Sequence, residues 1–169
     1  MVVVATLLGT ACRDANRAPE AGQDVPARPA GRIIAAASDG VVVEQSAAGQ
    51  VAMLGCGEPP IGLSGFWMPG ATDVAAIEAA LPAWLESHIP PTELPREPRS
   101  VRLSRQYIGM YKAGRRVVVI NGWLRHGESG KDLAADQLFM SCGGGALNFR
   151  LLFDVATRTF KDFQGNGPI

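Results

Sequence analysis

Three cysteines, two histidines and a scatter of acids and aromatics are the residues here that could do chemistry. Cys142 stands in Met140-Ser141-Cys142-Gly143-Gly144-Gly145. Glycine amides beside a thiol suit a nucleophile if His88 or His126 reaches it as a base. No family signature of a cysteine enzyme surrounds it. In an oxidising compartment, Cys56 and Cys142 read instead as one disulfide. That bond would close a loop of more than eighty residues and contribute on the order of 4 kcal/mol in the loop-entropy model. Inert thiols are the third reading, and all three stay open at this level. Tyr107, His88 and Asp136 are conceivable acid–base groups, with no motif to bring them together. His126, Glu128, Asp132 and Asp136 have the residue types of a cation site, but their spacing fits neither a calcium loop nor a zinc pattern. No metal or cofactor is expected. Trp67, Tyr107, Tyr111 and Trp123 are candidate contact residues, with core packing as the competing role for each. Gly143 and Gly144 are candidate loop contacts.

Composition narrows the class of partner. The 169 residues are 47% hydrophobic and 19% charged, with sixteen basic against sixteen acidic side chains and a pI near 6.7. That is one globular domain's worth of chain. It lacks the one-signed field of a nucleic-acid binder. The adjacent Arg115 and Arg116, with Arg125, read as a solvated sheet edge.

The first twelve residues, MVVVATLLGTAC, resemble the end of a bacterial lipoprotein signal, with Leu8, Gly9, Thr10 and Ala11 leading to Cys12. Leu8 lies one place further from the cysteine than the usual lipobox has it, and no Lys or Arg precedes the apolar run. A start upstream of Met1 would account for both the short run and the missing charge. The alternative is a buried strand Val2 to Leu8. Residues 13–32, RDANRAPEAGQDVPARPAGR, hold almost nothing that could fill a core and read as a solvated tether. The expectation is therefore a signal segment (1–12), a tether (13–32) and one domain (33–169). Cys12 would carry lipid, with the outer membrane facing the periplasm as destination, because Arg13 departs from the inner-membrane retention signal.

The elements that must position these residues follow from periodicity. Residues 32–57 read as short strands separated by Ser38-Asp39-Gly40 and Ala47-Ala48-Gly49-Gln50, with Val41 to Val43 the clearest. A loosely held extension is the other reading. After Pro69-Gly70, Thr72 or Asp73 caps a helix. Its apolar face is Val74, Ile77, Leu81, Trp84, Leu85 and His88; it runs through Pro82 and stops at Pro90-Pro91. Asp73 and Glu78 sit toward the positive end of its dipole. Val101 to Tyr111 and Val117 to Leu124 read as a hairpin turning at Lys112-Ala113-Gly114, with a bulge at Asn121-Gly122. Leu138 to Cys142 and Leu147 to Phe153 read as a second pair. Thr159 to Phe163 follows the turn Asp154 to Arg158. The expected fold is α+β: one long helix on an antiparallel sheet of about four strands, cystatin-like or NTF2-like in outline.

The stretches FWMPGATDVAAIEAALPAWL, RQYIGMYKAGRRVVVIN and MSCGGGALNFRLLFDVATRTFKDFQGNG resemble a group of bacterial secreted proteins and lipoproteins that has no assigned activity. The resemblance covers most of residues 66–167 and implies fold and compartment only. Gly143 is a departure, since that group tends to carry an acid after the cysteine.

The function expected from these readings is a non-enzymatic cell-envelope lipoprotein. It would be held to the membrane by its lipid and bind a protein or small ligand. A periplasmic inhibitor of proteases or lysozymes, wedging a loop such as Gly143 to Gly145 or His126 to Lys131 into its target, is the alternative. A small NTF2-like enzyme is the third.

Overall fold

The computed structural model describes residues 33–34, 39–53, 62–90, 101–125, 135–139 and 142–166. The expected signal segment, the tether, Cys56, His126, Glu128 and Asp132 lie outside the described residues. The elements are β1 (Ile33–Ile34), β2 (Gly40–Val42), α1 (Gln45–Ala48), β3 (Leu63–Phe66), α2 (Ala71–His88), β4 (Val101–Lys112), β5 (Arg115–Arg125), β6 (Asn148–Asp154) and β7 (Thr159–Gly165), with 3-10 turns at Gly49–Met53 and Gly145–Leu147.

β4 and β5 form one long antiparallel hairpin, in register from Arg102–Arg125 to Lys112–Arg115. Its turn places Ala113 at φ 50° and Gly114 at φ 75°, the left-handed pair that a two-residue turn between right-twisted strands requires. β6 and β7 extend the sheet antiparallel beyond β5. The other edge of β4 is covered in succession by three short strands. β1 pairs parallel at Val101 and Arg102, β2 parallel at Arg105 to Tyr107, and β3 antiparallel at Met110 to Lys112.

The sheet therefore has seven strands and is mixed. This corrects the expectation of about four antiparallel strands, and the cystatin-like or NTF2-like outline falls with it. The physical reason lies in residues 33–66. A twelve-residue strand with a bare edge presents a row of unpaired backbone donors and acceptors, and short segments from this region satisfy them. Each is too brief to show alternation in sequence. The expected separator Ala47-Ala48-Gly49-Gln50 is helical, closing α1 and opening a 3-10 turn, and Val51 to Met53 continue that turn where a strand was expected.

Both faces of the sheet are covered. On the helix face, Ile77, Leu81 and Leu85 of α2 pack with Leu103, Tyr107, Val118, Ile120, Phe149, Leu151 and Phe153. Each buried aliphatic side chain there is worth roughly 1.5–3 kcal/mol. α2 begins after Gly70, whose N–H donates to the Asp73 carboxylate at 3.0 Å. The helix continues through Pro82 as expected. On the opposite face, Ile108, Val119 and Leu152 meet Val43, Ala47, Ala48, Val51 and Leu138.

Two local expectations change. The β4–β5 ladder runs unbroken through Asn121 and Gly122, so no bulge lies there. Gly122 is glycine because the Phe149 ring occupies the space a Cβ would need. Register shifts fall instead between β3 and β4, from Ser64 to Phe66, and between β6 and β7, opposite Arg150 to Leu152, where Asp162 adopts φ 53°. Residues 135–139 are not a strand but a strap across the opposite face.

Candidate functional site

Alternation along β4 directs Leu103, Arg105 and Tyr107 to the helix face. A guanidinium is thereby placed beneath α2, and Arg105 is 0% exposed. Its charge is balanced from the helix. Nε donates to Glu78 Oε1 at 2.8 Å and to the Tyr107 hydroxyl at 2.7 Å. Nη1 donates to the Leu103 carbonyl at 2.8 Å, and Nη2 donates to Glu78 Oε2. The Tyr107 hydroxyl donates to Glu78 Oε1. Burial works to lower the Arg105 pKa, but its hydrogen bond to the Glu78 carboxylate and the nearby charges hold it above its ordinary value. Burial pushes the Tyr107 phenol up, with Glu78 adding to the rise and Arg105 opposing it. Gly40 of β2 closes over this cluster, where a Cβ would sit 3.1 Å from the Tyr107 ring and 3.2 Å from Glu78 Oε1. The three side chains use one another, and that arrangement locks helix to sheet. It places neither a free base nor a free acid.

The opposite face carries a polar pair at its centre. Gln106 and Asn121 face each other across β4 and β5 and are 1% and 9% exposed. Their amides read the backbone of the strap. Gln106 Nε2 donates to the Gln137 carbonyl at 2.6 Å, and its Oε1 accepts from the Phe139 N–H at 2.8 Å. Asn121 Nδ2 donates to the Phe139 carbonyl at 2.7 Å and to Gln106 Oε1 at 3.1 Å. Between those anchors, Leu138 is buried among Val43, Ala47, Ala48, Val51, Ile108, Val119 and Leu152. The Phe139 ring stacks on Trp123 with centroids 4.3 Å apart. At the strap's other end, the Glu44 N–H donates to the Ala135 carbonyl at 2.7 Å. The same register line continues to Arg150 of β6 and Gln164 of β7, which bond each other. Ser104 lies one step along this face, cross-strand from Trp123, and its buried hydroxyl has no hydrogen-bond partner.

The candidate contact residues are mostly taken up by packing. Trp67 is buried; its indole N–H donates to the Met110 carbonyl at 2.9 Å, and the Arg116 guanidinium lies 4.7 Å from its ring centroid. Tyr107 is fully buried and Tyr111 half-buried on the helix face. Trp123 is buried under the strap. Gly143 accepts from Asn148 Nδ2 at 2.7 Å, and Gly144, at φ 102°, begins the short 3-10 turn. Cys142 is exposed and disulfide-bonded, with its partner outside the described residues. A sulfur so held is no nucleophile until reduced.

The three conceivable acid–base groups stand apart. Tyr107 lies under α2, and Asp136 is on the strap across the sheet. His88 ends α2 stacked 3.8 Å from Trp84, about 15 Å of helix from Glu78 at 1.5 Å per residue. Among the described residues, no group of three or more His, Cys, Asp or Glu could hold a metal ion. Asp154 serves the β6–β7 turn. It accepts from the backbone N–H groups of Ala156 and Thr157 at 3.1 Å, with Lys161 at 3.2 Å and Arg115 at 3.6 Å. The Thr157 amide and then Lys161 hold its pKa below the usual carboxylate value.

Sequence reasoning missed both polar clusters. Arg105 has the parity of Leu103 and Tyr107, so a charge on the helix-facing side was there to be read. Gln106 and Asn121 gave a weaker signal: two amides on the parity of Ile108 and Val119. No family model, curated protein or solved structure matches this chain.

Proposed function

We propose that this protein is a non-enzymatic module of the bacterial cell envelope, anchored by lipid at Cys12 and tethered by residues 13–32. Its domain is offered to a protein or small ligand. The observation that carries the non-catalytic part is the closure of the Glu78–Arg105–Tyr107 cluster. The Tyr107 phenol, pushed well above its ordinary value by burial, and the buried Arg105 guanidinium are saturated by each other and by Glu78, whereas a working acid or base must keep a face open to substrate. The envelope assignment rests on the lipobox-like start and the tether. A bond between Cys56 and Cys142 would suit an oxidising compartment.

The test is capture from detergent-solubilised envelope with the full chain as bait, alongside thermal-shift screening of envelope metabolites. A specific partner or a stabilising ligand is the expected result. Recovery of nothing by either route would remove the binding assignment. The inhibitor reading has one observation in its favour: the loop from Cys142 to Leu147 is held by a disulfide, by Asn148 and by the Leu147 N–H donating to Gly144 O at 3.0 Å. A preorganised loop loses little entropy on entering a cleft. Absence of inhibition of cell-wall hydrolases and cysteine proteases at micromolar concentration would remove that reading.

A further inference from the structure

We infer that the face bearing Gln106 and Asn121 is a peptide-recognition site for extended segments carrying a Leu-aromatic pair, occupied here by the chain's own Gln137-Leu138-Phe139. This rests on the binding-module reading and names its site. Gln106 and Asn121 occupy the centre of a covered sheet face where Ile108, Val119 and Leu152 show what packing alone would choose. A buried primary amide is costly unless its donors and acceptors are matched. Both amides are matched to the backbone of a passing segment: donor to Gln137 O, acceptor from Phe139 N and donor to Phe139 O. A segment crossing a covered face must have its backbone groups paired, and here side-chain amides, not another strand, pair them. Amides that read N–H and C=O in one register add what peptide recognition uses, main-chain bonds for affinity with side-chain pockets for selectivity.

Two pockets flank those bonds. One takes a branched aliphatic side chain, lined by Val43, Ala47, Val51, Ile108 and Leu152. The other is a flat aromatic slot on Trp123. The unpartnered Ser104 hydroxyl lies beside Trp123, its cross-strand neighbour on the same face. A peptide continuing beyond its aromatic residue would offer that hydroxyl a backbone group. The strap is thus a competitor in cis, and a partner's peptide binds with its affinity reduced by the fraction of molecules whose strap is away.

The experiment uses the full chain and a fluorescent peptide of sequence Asp-Gln-Leu-Phe-Met. Its affinity is measured for wild type, for the strap variant Leu138→Ser/Phe139→Ser, and for that variant with Gln106→Ala added. The expected result is binding to the strap variant at least ~10-fold tighter than to wild type, lost with Gln106→Ala and with Leu→Ser in the peptide. Equal affinities for wild type and a folded strap variant, or indifference to the peptide's leucine, overturn the inference. If the strap variant fails to fold, hydrogen exchange of residues 135–139 in wild type decides. Millimolar peptide should speed it, and no change overturns the proposal. A concentration-dependent dimer of wild type, abolished by Leu138→Ser/Phe139→Ser, would also overturn it, in favour of strap exchange between copies. Capture of an envelope partner insensitive to Gln106→Ala would remove this site while leaving the binding-module reading standing.

Discussion

Replacing Glu78 by alanine removes the counter-charge of a guanidinium that has no access to water. Arg105 keeps its bonds to the Leu103 carbonyl and the Tyr107 hydroxyl but loses both carboxylate oxygens, and the Tyr107 hydroxyl loses its acceptor. Breaking a buried ion pair from one side costs about 3–5 kcal/mol. The Glu78 side chain is 22% exposed, so water can partly replace it, and the lower end, ~3 kcal/mol, is the expected loss. With a urea slope of about 1–3 kcal/mol per molar, the midpoint should fall by at least ~1 M. The triple variant Glu78→Leu/Arg105→Met/Tyr107→Phe removes both charges, and with them the buried hydroxyl that only they satisfy, and keeps similar volumes. It should recover most of the loss, because apolar replacement of a whole buried pair is often neutral or better. Urea titration followed by circular dichroism measures all three proteins. A loss below ~1 kcal/mol for Glu78→Ala, the size of an exposed pair, would refute the claim that this cluster locks helix to sheet.

Leu81→Ala, at a fully buried position on α2, should cost about 2–5 kcal/mol by the same titration. Gly122→Ala drives a methyl into the Phe149 ring and should cost about 1–3 kcal/mol; Gly109→Ala meets the Trp67 backbone and should cost more, with equal midpoints for the two counting against the packing described. Asp154→Asn keeps an acceptor for the turn amides but loses the charge that Lys161 and Arg115 face. Because the folded carboxyl titrates below its unfolded value of about 3.9, its contribution is present above that pH and lost as pH falls through the folded value. The stability gap between wild type and Asp154→Asn should therefore narrow from pH 6 to pH 2, and a gap constant with pH would contradict the assignment.

Periodicity made the helix from Ala71 to His88, the β4–β5 hairpin and the strands around Asp154 legible in sequence, since each is long or bounded by Gly and Pro. The three short strands on β4 were not. Ile33–Ile34 spans two residues, and such a segment is strand only because a long edge awaits it. Leu138 to Cys142 read as strand because its residues are strand-like, yet the backbone of Gln137 and Phe139 is partnered by the side chains of Gln106 and Asn121, marked in sequence only by two amides on the parity of Ile108 and Val119. The aromatics Trp67, Tyr107 and Trp123 were found, and they turned out to hold the core, the Arg105 cluster and the strap. Arg105 and Glu78 are 27 residues apart, and only the packing of α2 on β4 brings them together.

The central claim, a lipid-anchored envelope module, is tested most directly by the intact mass of the native protein isolated from a bacterial envelope. The mass is taken without reduction and again after reduction and alkylation. A diacylated or triacylated chain beginning at Cys12, with no thiol alkylated before reduction and both Cys56 and Cys142 alkylated after it, is the predicted result. An unacylated chain in the soluble fraction with Cys142 alkylated before reduction would contradict it.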